Sequence, residues 1–137
     1  MAFVAVDLGK RRIGLAISEG AGAYPLGTFE RRSLSRDLRE IATRLESRGV
    51  CRLVVGLPLN MDGSEGPAAR SARAFAGKLG AALALPVDLF DERLTSIEAE
   101  HRLAGSVPAG RKRAAIDAVA AAIILEGWLE AHRTAAK

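Results

Sequence analysis

The first 31 residues alternate short apolar runs with turn-forming residues. Residues 3–7 are almost continuously apolar, which is typical of a strand buried on both faces. Residues 12–18 and 25–31 form two further β-rich runs, and the segments between them, 9–11 and a glycine-rich stretch at 19–23, are short. The three runs are therefore expected to pair as an antiparallel meander.

After this meander the apolar positions change to helical spacing. Ser35 is the expected N-cap of a first helix, and Gly49 is expected to end it. The apolar positions of this first helix lie three and four residues apart: Leu38, Ile41, Ala42 and Leu45. Residues 53–56 then form a short apolar strand that Pro58 closes.

A second helix and a fifth strand follow. Pro67 suits the first turn of the helix, and residues 87–91 form the strand. The spacing of the helix's apolar residues predicts its buried face: Ala72, Phe75, Ala76 and Leu79.

The last third of the chain is predicted to be helical apart from one loop. Thr95 and Glu98 have the spacing of a capping box, which predicts a short helix to about Leu103. Residues 105–112 combine glycine, proline and basic residues, so we expect a loop that is poorly ordered without nucleic acid. A final helix is predicted over 113–131, with an apolar arc at Ile116, Val119, Ala120, Ile123, Ile124 and Gly127.

The order of these elements predicts an α/β fold. Three strands joined by hairpins, then strands alternating with helices, give one mixed five-stranded sheet, with three antiparallel strands plus two parallel strands, and helices on both faces. The 137 residues fit a single domain spanning 1–137.

Composition narrows the class of protein. Aromatic residues make up only 4%, so the core is aliphatic, and a single cysteine, Cys51, excludes an intramolecular disulfide and a cysteine-based zinc site. The net charge of +4 permits a polyanionic partner without requiring one. The chain shows no signal peptide, and Asp117 and Glu126 interrupt its longest apolar run. A soluble, cytoplasmic protein is expected.

Acidic residues end two of the apolar strands. Asp7 closes the first strand, where a carboxylate is costly unless it is paired or binds a cation, although it could instead cap its own turn. Asp91 and Glu92 close the strand at 87–91, and strand alternation allows only one of them to face a shared site. Alternatively, Asp91 and Glu92 belong to an acidic loop at the surface, in which Arg93 is their partner.

A third acid, Asp117, lies at the border of the apolar arc of the last helix. An ion pair with Arg113, four residues earlier, is the alternative, but such a pair is weakly stabilising. If Asp7, Asp117 and one acid of the 91–92 pair converge, their mutual repulsion requires cations. Oxygen ligands select Mg²⁺ or Mn²⁺, and one or two such ions would serve phosphodiester cleavage.

Basic residues flank the predicted acidic site and are candidates for binding a phosphate backbone. Solvated basic turns are also common, so these residues support the hypothesis without establishing it. The predicted substrate-binding set comprises Lys10, Arg11, Arg12, Arg93, Arg111, Lys112 and Arg113.

Four blocks in order resemble the YqgF/RuvX family: VAVDLGKRRIGLAIS at 4–18, VVGLPLNMDGSEGP at 54–67, DERLTS at 91–96 and DAVAAAIIL at 117–125. The resemblance covers nearly the whole chain. It implies a ribonuclease H-like fold and a metal-dependent nuclease that processes the 5′ end of pre-16S rRNA in ribosome biogenesis. Carried over by motif, the catalytic and metal-binding residues are Asp7, Glu92 and Asp117, so the resemblance selects Glu92 over Asp91.

Other functions remain compatible with the sequence. The family's likeness to Holliday junction resolvases implies a nuclease for branched DNA as one alternative, and such enzymes act as two-fold dimers. A non-catalytic RNA-binding assembly factor is another, against which the three intact acids argue. The expected partners are structured RNA and a ribosomal precursor particle, and the chain could be a monomer or a homodimer.

Overall fold

The computed structural model describes residues 1–94 and 112–135, with the side chains of 118–132 within the last helix. Its strands are β1 (Ala2–Leu8), β2 (Arg12–Ser18), β3 (Tyr24–Glu30), β4 (Val50–Leu57) and β5 (Val87–Asp91). Its helices are α1 (Leu34–Leu45), α2 (Pro67–Leu83) and α3 (Lys112–Ala135), and a single 3₁₀ turn, Glu92–Leu94, follows β5.

The five strands form one mixed sheet in the order β3-β2-β1-β4-β5. The meander β1-β2-β3 is antiparallel, while β1 pairs with β4 and β4 with β5 in parallel. This confirms the predicted α/β fold and its division into antiparallel and parallel strands. The carboxyl ends of β1, β3, β4 and β5 therefore all lie at one end of the sheet, and α1 and α2 begin there.

The two faces of the sheet carry separate cores because side chains alternate along each strand. Val4, Val6 and Val55 point to the face covered by α1 and α2. Ala5 and Val54 point to the opposite face, which α3 covers.

The ends of α1 differ from the prediction. Ser33, and not Ser35, is the N-cap, and its Oγ accepts a hydrogen bond from the amide of Arg36. The helix ends at Leu45, before the expected Gly49, which lies outside it with a positive φ of 68°. Ser33 and Ser35 lie two positions apart and both are residue types that cap helices, so only the backbone geometry distinguishes them.

The limits of β4 and α3 also differ from the prediction. Strand β4 extends on both sides of the predicted 53–56, and α3 begins at Lys112, which was expected in a loop, and continues beyond residue 131. The helix expected at 95–103 and the loop expected at 105–111 lie outside the described residues.

The predicted apolar arc of α3 is partly wrong. Ala120, Ile123 and Gly127 are only half-buried, and the side chain of Ile116 is outside the description. Because the helix is rich in alanine, its sequence offers little contrast between faces. The buried residues are Ala118, Val119, Ala121, Ala122, Ile124, Leu125, Trp128 and Leu129. No helix in the described part of the chain is long and apolar enough to cross a membrane.

Candidate active site

Asp7 stands near the carboxyl end of the central strand. It pairs with Gly14 across the ladder to β2, and alternation places it on the same face as Ala5, which α3 covers. Its side chain is half-buried. A partly desolvated carboxylate at this position requires a partner.

Glu92 supplies that partner from the 3₁₀ turn after β5. It follows Phe90 by two residues, and Phe90 packs in the core beneath α3. Its carboxylate lies against Gly56 of β4, so that a Cβ built on Gly56 would come within 2.8 Å of Glu92 Oε1 and 2.6 Å of Ile124 Cδ1. The glycine thus leaves the space in which Glu92 reaches the centre of the sheet.

The Asp7 and Glu92 side chains are hydrogen-bonded to each other. Burial, the negative charge of Asp7 and this hydrogen bond together raise the pKa of Glu92 from 4.5 to about 7, with a smaller contribution from Asp91. Below about pH 7, Glu92 therefore holds a proton, through which it donates a hydrogen bond to Asp7. Two carboxyl groups this close share a proton because both cannot ionise without a cation between them.

Asp91 faces away from this pair. Its carboxylate accepts hydrogen bonds from the Arg93 guanidinium, from Nε at 3.0 Å to Oδ1 and at 3.1 Å to Oδ2, and from Nη2 at 2.7 Å to Oδ2. These bonds lower the pKa of Asp91. Arg93 also donates to the carbonyl of Met61 at 3.2 Å, so the predicted substrate-binding Arg93 holds the β4–α2 loop against the end of β5.

Asp117 belongs to the early turns of α3, and its side chain is outside the described residues. The helix crosses the sheet from the carboxyl ends of the strands toward their amino ends, because Ile124 lies beside Gly56 whereas Trp128 Nε1 donates to Asp88 near the start of β5. Seven residues before Ile124 correspond to about 10 Å of helix axis. The Asp117 backbone therefore lies toward the carboxyl ends, on the face that carries Asp7.

The donor set fits a hard divalent cation. Asp7 and Glu92 offer only carboxylate oxygens, which hard divalent cations prefer. The pKa of Glu92 is raised by burial and by the negative charge of Asp7, and a bound cation would relieve the repulsion between the two carboxylates in place of the proton. Among the side chains that the structure describes, no group of three or more His, Cys, Asp or Glu residues could hold a metal. The third acid of the predicted set, Asp117, lies outside those side chains.

The basic residues after Asp7 are held in a tight turn. Lys10 and Arg11 are exposed, while Arg12 is half-buried and pairs with Glu30 across the ladder. The amide of Gly9 donates to the carbonyl of Arg12 at 2.9 Å, and a Cβ at Gly9 would come within 2.7 Å of that oxygen. Only glycine fits this turn, which keeps Lys10 and Arg11 close to Asp7.

The other predicted basic residues lie at the start of α3. Lys112 and Arg113 open this helix, and nothing is described of their side chains. Arg111 is outside the described residues. The placement of these three guanidinium and ammonium groups therefore stays a prediction.

Sequence reasoning missed the roles of Gly56 and Arg31. Gly56 interrupts the apolar run of β4, and a glycine inside a strand signals the close approach of another group. Arg31 donates from Nη1 to the carbonyl of Gly9 at 2.7 Å, which supports the turn after Asp7. No sequence pattern marks this contact, since the two residues are 22 positions apart.

Comparison with known proteins gives a consistent family. The family model described as "RuvX: Holliday junction resolvase" matches residues 1–131. A protein of Anaeromyxobacter sp. (strain K), named "Putative pre-16S rRNA nuclease", is 53% identical over 133 residues, covering 95% of this chain and 97% of the relative. A protein of the same name from Myxococcus xanthus (strain DK1622) is 46% identical over 136 residues, covering 97% and 90%.

Solved structures support the fold. The RuvC structure of Thermus thermophilus superposes with a TM-score of 0.62 at 15% identity, covering 96% of this chain and 97% of that one. The same protein in complex with a Holliday junction substrate gives a TM-score of 0.64 at 14% identity, with 96% of each chain covered.

Proposed function

Because this chain belongs to the RuvX family, we propose that it is a nuclease that hydrolyses phosphodiester bonds in the precursor of 16S rRNA. The observation that carries the proposal is the hydrogen-bonded pair Asp7–Glu92 at the carboxyl ends of β1 and β5. A domain that only bound RNA would gain nothing from two carboxylates facing a phosphate. The names of the relatives favour precursor rRNA as the substrate.

Asp7, Glu92 and Asp117 are the residues that would hold one or two Mg²⁺ or Mn²⁺ ions. When bound, such ions polarise the phosphodiester, activate the attacking water and stabilise the leaving oxygen. The protein prepares for them by keeping Asp7 and Glu92 in contact. Loss of the proton from Glu92 leaves both side chains as oxygen ligands.

The remaining residues of the site bind and orient the substrate. Lys10 and Arg11 are exposed on the turn that follows Asp7, where they can neutralise phosphates next to the scissile bond. Arg93 is fixed by Asp91 and by the carbonyl of Met61, so its proposed role is to hold the adjacent loop as well as to meet the substrate. Arg12, Arg111, Lys112 and Arg113 complete the proposed phosphate contacts.

The finer assignment is cleavage at the 5′ end of pre-16S rRNA during ribosome biogenesis, in the cytoplasm and on a ribosomal precursor particle. The core domain carries both the acids and the basic turn. We propose that surfaces of this domain, or a partner in the particle, select the substrate.

A second candidate is cleavage of branched DNA. The description of the matching family model favours it. Paired incisions across a junction require a two-fold dimer that presents two sites of this kind. A protein that stays monomeric with bound DNA would argue against this function.

The deciding experiment gives the purified protein two substrates in parallel. Precursor 16S rRNA and a four-way DNA junction are each incubated with Mg²⁺ or Mn²⁺, with EDTA as the metal-free control and Asp7→Asn as the inactive control. We expect metal-dependent cleavage of the RNA that both controls abolish. Cleavage of the junction alone would establish the second candidate, and binding of RNA without cleavage of either substrate would identify an assembly factor.

A further inference from the structure

A second cluster of positive charge lies on α1, at the same end of the sheet as the site. We define the α1 basic face as Arg32, Arg36 and Arg39, which occupy the β3–α1 connection and the first two turns of the helix. All three side chains are exposed. Within the described residues, none of the three forms a salt bridge, and the Nε of Arg39 makes only a long hydrogen bond, 3.4 Å, to the carbonyl of Ser35.

Of the three carboxylates next to this face, Asp37 and Glu40 are engaged by groups of the chain itself. Asp37 is buried and accepts a hydrogen bond from the amide of Arg32 at 3.0 Å. Glu40 accepts from Arg44 Nε at 3.1 Å. Glu30 is exposed at the end of β3 and lines the same groove as the arginines. The three arginines therefore outnumber Glu30, the remaining carboxylate of the groove, and leave a net positive charge for a partner outside the chain.

The face forms one wall of a groove. A cavity of about 670 Å³ lies between α1 and the end of β3, and Arg32, Arg36 and Arg39 all line it. Arg36 and Arg39 are three residues apart on the helix, so their Cβ atoms are about 5–6 Å apart and the side chains can contact neighbouring phosphates. Guanidinium groups suit such contacts because their planar donors match phosphate oxygens.

The α1 basic face continues from the turn that follows Asp7. The amide of Arg31 donates to the carbonyl of Arg11 at 2.8 Å, and Arg31 Nη1 donates to the carbonyl of Gly9 at 2.7 Å. Arg31 thus joins the turn to the start of the β3–α1 connection. Lys10, Arg11, Arg31 and the α1 basic face follow one another around the carboxyl end of the sheet.

We propose that the α1 basic face binds the phosphate backbone of the RNA substrate away from the bond that is cut. This inference rests on the proposed function and adds to it a second contact surface. The chemistry favours sequence-independent binding: the one aromatic residue of the groove, Phe29, is half-buried and lies beneath Arg44, whose guanidinium is 5.1 Å from the ring centre. The groove is therefore suited to contacts with the charged phosphates of the RNA and not to stacking on its bases.

The test compares two double variants that lose the same charge. Arg36→Gln/Arg39→Gln removes two members of the face, while Arg48→Gln/Lys78→Gln removes two exposed charges elsewhere. Affinity for precursor 16S rRNA is measured in EDTA, so that binding is observed without cleavage, at several salt concentrations. We expect the first variant to bind at least about 5-fold more weakly and to lose about 1.4–1.8 from the log–log salt slope, since each phosphate contact contributes about 0.7–0.9.

For the control variant, Arg48→Gln/Lys78→Gln, we expect the salt slope to decrease by less than half as much as for Arg36→Gln/Arg39→Gln. Equal losses in both variants would overturn the inference, and so would an unchanged affinity in the first, which would leave an acidic protein as the partner of this face. The result is separate from the proposed function. If the wild-type protein cuts no RNA but the first variant still loses affinity, the contact surface stands and the nuclease assignment fails.

Discussion

The carboxylate of Glu92 lies against the backbone of Gly56, and a side chain at position 56 would meet it at 2.8 Å. Strand β4 thus leaves a gap at Gly56, and through it Glu92, which follows the neighbouring β5, turns in toward Asp7. The contact explains how a residue beyond the end of β5 reaches the central strand. It also makes Gly56 a positioning residue, because it acts through Glu92.

Gly56→Ala is expected to displace Glu92 and lower kcat by about 10–100-fold, the range typical of lost support for a metal ligand. The added methyl group also meets Ile124, so overpacking should cost about 1–3 kcal/mol of stability. Nuclease assays and urea denaturation measure the two effects. Gly77→Ala is the matched control, because a Cβ there meets nothing within 4 Å. That helical substitution should raise stability by about 0.5–1 kcal/mol and leave kcat unchanged.

Asp7→Asn keeps the shape of the side chain and removes one negative oxygen ligand. We expect cleavage to fall by more than about 100-fold, since even indirect supports of metal ligands are worth 10–100-fold. Folding of the metal-free protein at pH 8 should hold or improve, because the repulsion between Asp7 and Glu92 is gone. Cleavage rates and thermal melts in EDTA measure the two effects. Glu19→Gln, an exposed position at the other end of the sheet, serves as the charge control. Unchanged turnover in Asp7→Asn would rule out the proposed metal chemistry.

The raised pKa of Glu92 predicts how stability depends on pH. Between the ordinary value of 4.5 and the folded value of about 7, the native protein holds a proton that the unfolded chain has released. The free energy of unfolding contributed by this group therefore falls as pH rises through that window. Glu92→Gln cannot titrate, so the difference between variant and wild type should grow in favour of the variant from pH 4.5 to pH 8 in EDTA. A difference that stays constant with pH would show that Glu92 titrates normally.

The variant Asp91→Asn tests whether Asp91, and not only Glu92, takes part in cleavage. Because Asp91 is bound by Arg93 and faces away from Asp7, we expect cleavage to fall by less than about 10-fold. The ion pair is partly exposed, so its loss should cost about 0–1 kcal/mol. Parallel assays with Asp7→Asn provide the comparison. A loss as large as that of Asp7→Asn would make Asp91 a metal ligand.

Most of the fold follows from local patterns. The apolar runs that form β2 and β5 have the predicted bounds, and Pro67 opens α2 as its position suggests. The errors occur where composition is ambiguous. Ser33 and Ser35 both suit a helix cap, and the alanine-rich α3 has no clear apolar stripe, so neither could be resolved without the backbone.

The site was less predictable than the fold. Alternation along the chain places Asp91 and Glu92 on opposite faces but does not say which face holds the site. The packing of Phe90 beneath α3 decides this, because Glu92 follows it by two residues. The contact of Arg31 with Gly9 depends on the pairing of β2 with β3, which brings together residues distant in sequence.

Neighbouring residues in the sequence suffice to predict the order of the described strands and helices, the acids that follow β1 and β5, and the basic turn after Asp7. Tertiary structure alone decided that Glu92 meets Asp7 over Gly56 and that the α1 basic face continues from the same end of the sheet. Such contacts depend on how separate elements pack. Asp7 and Glu92 share a proton because that packing brings them together and desolvates Glu92, and the exposed arginines share a surface with the basic turn because their elements end on the same side of the sheet.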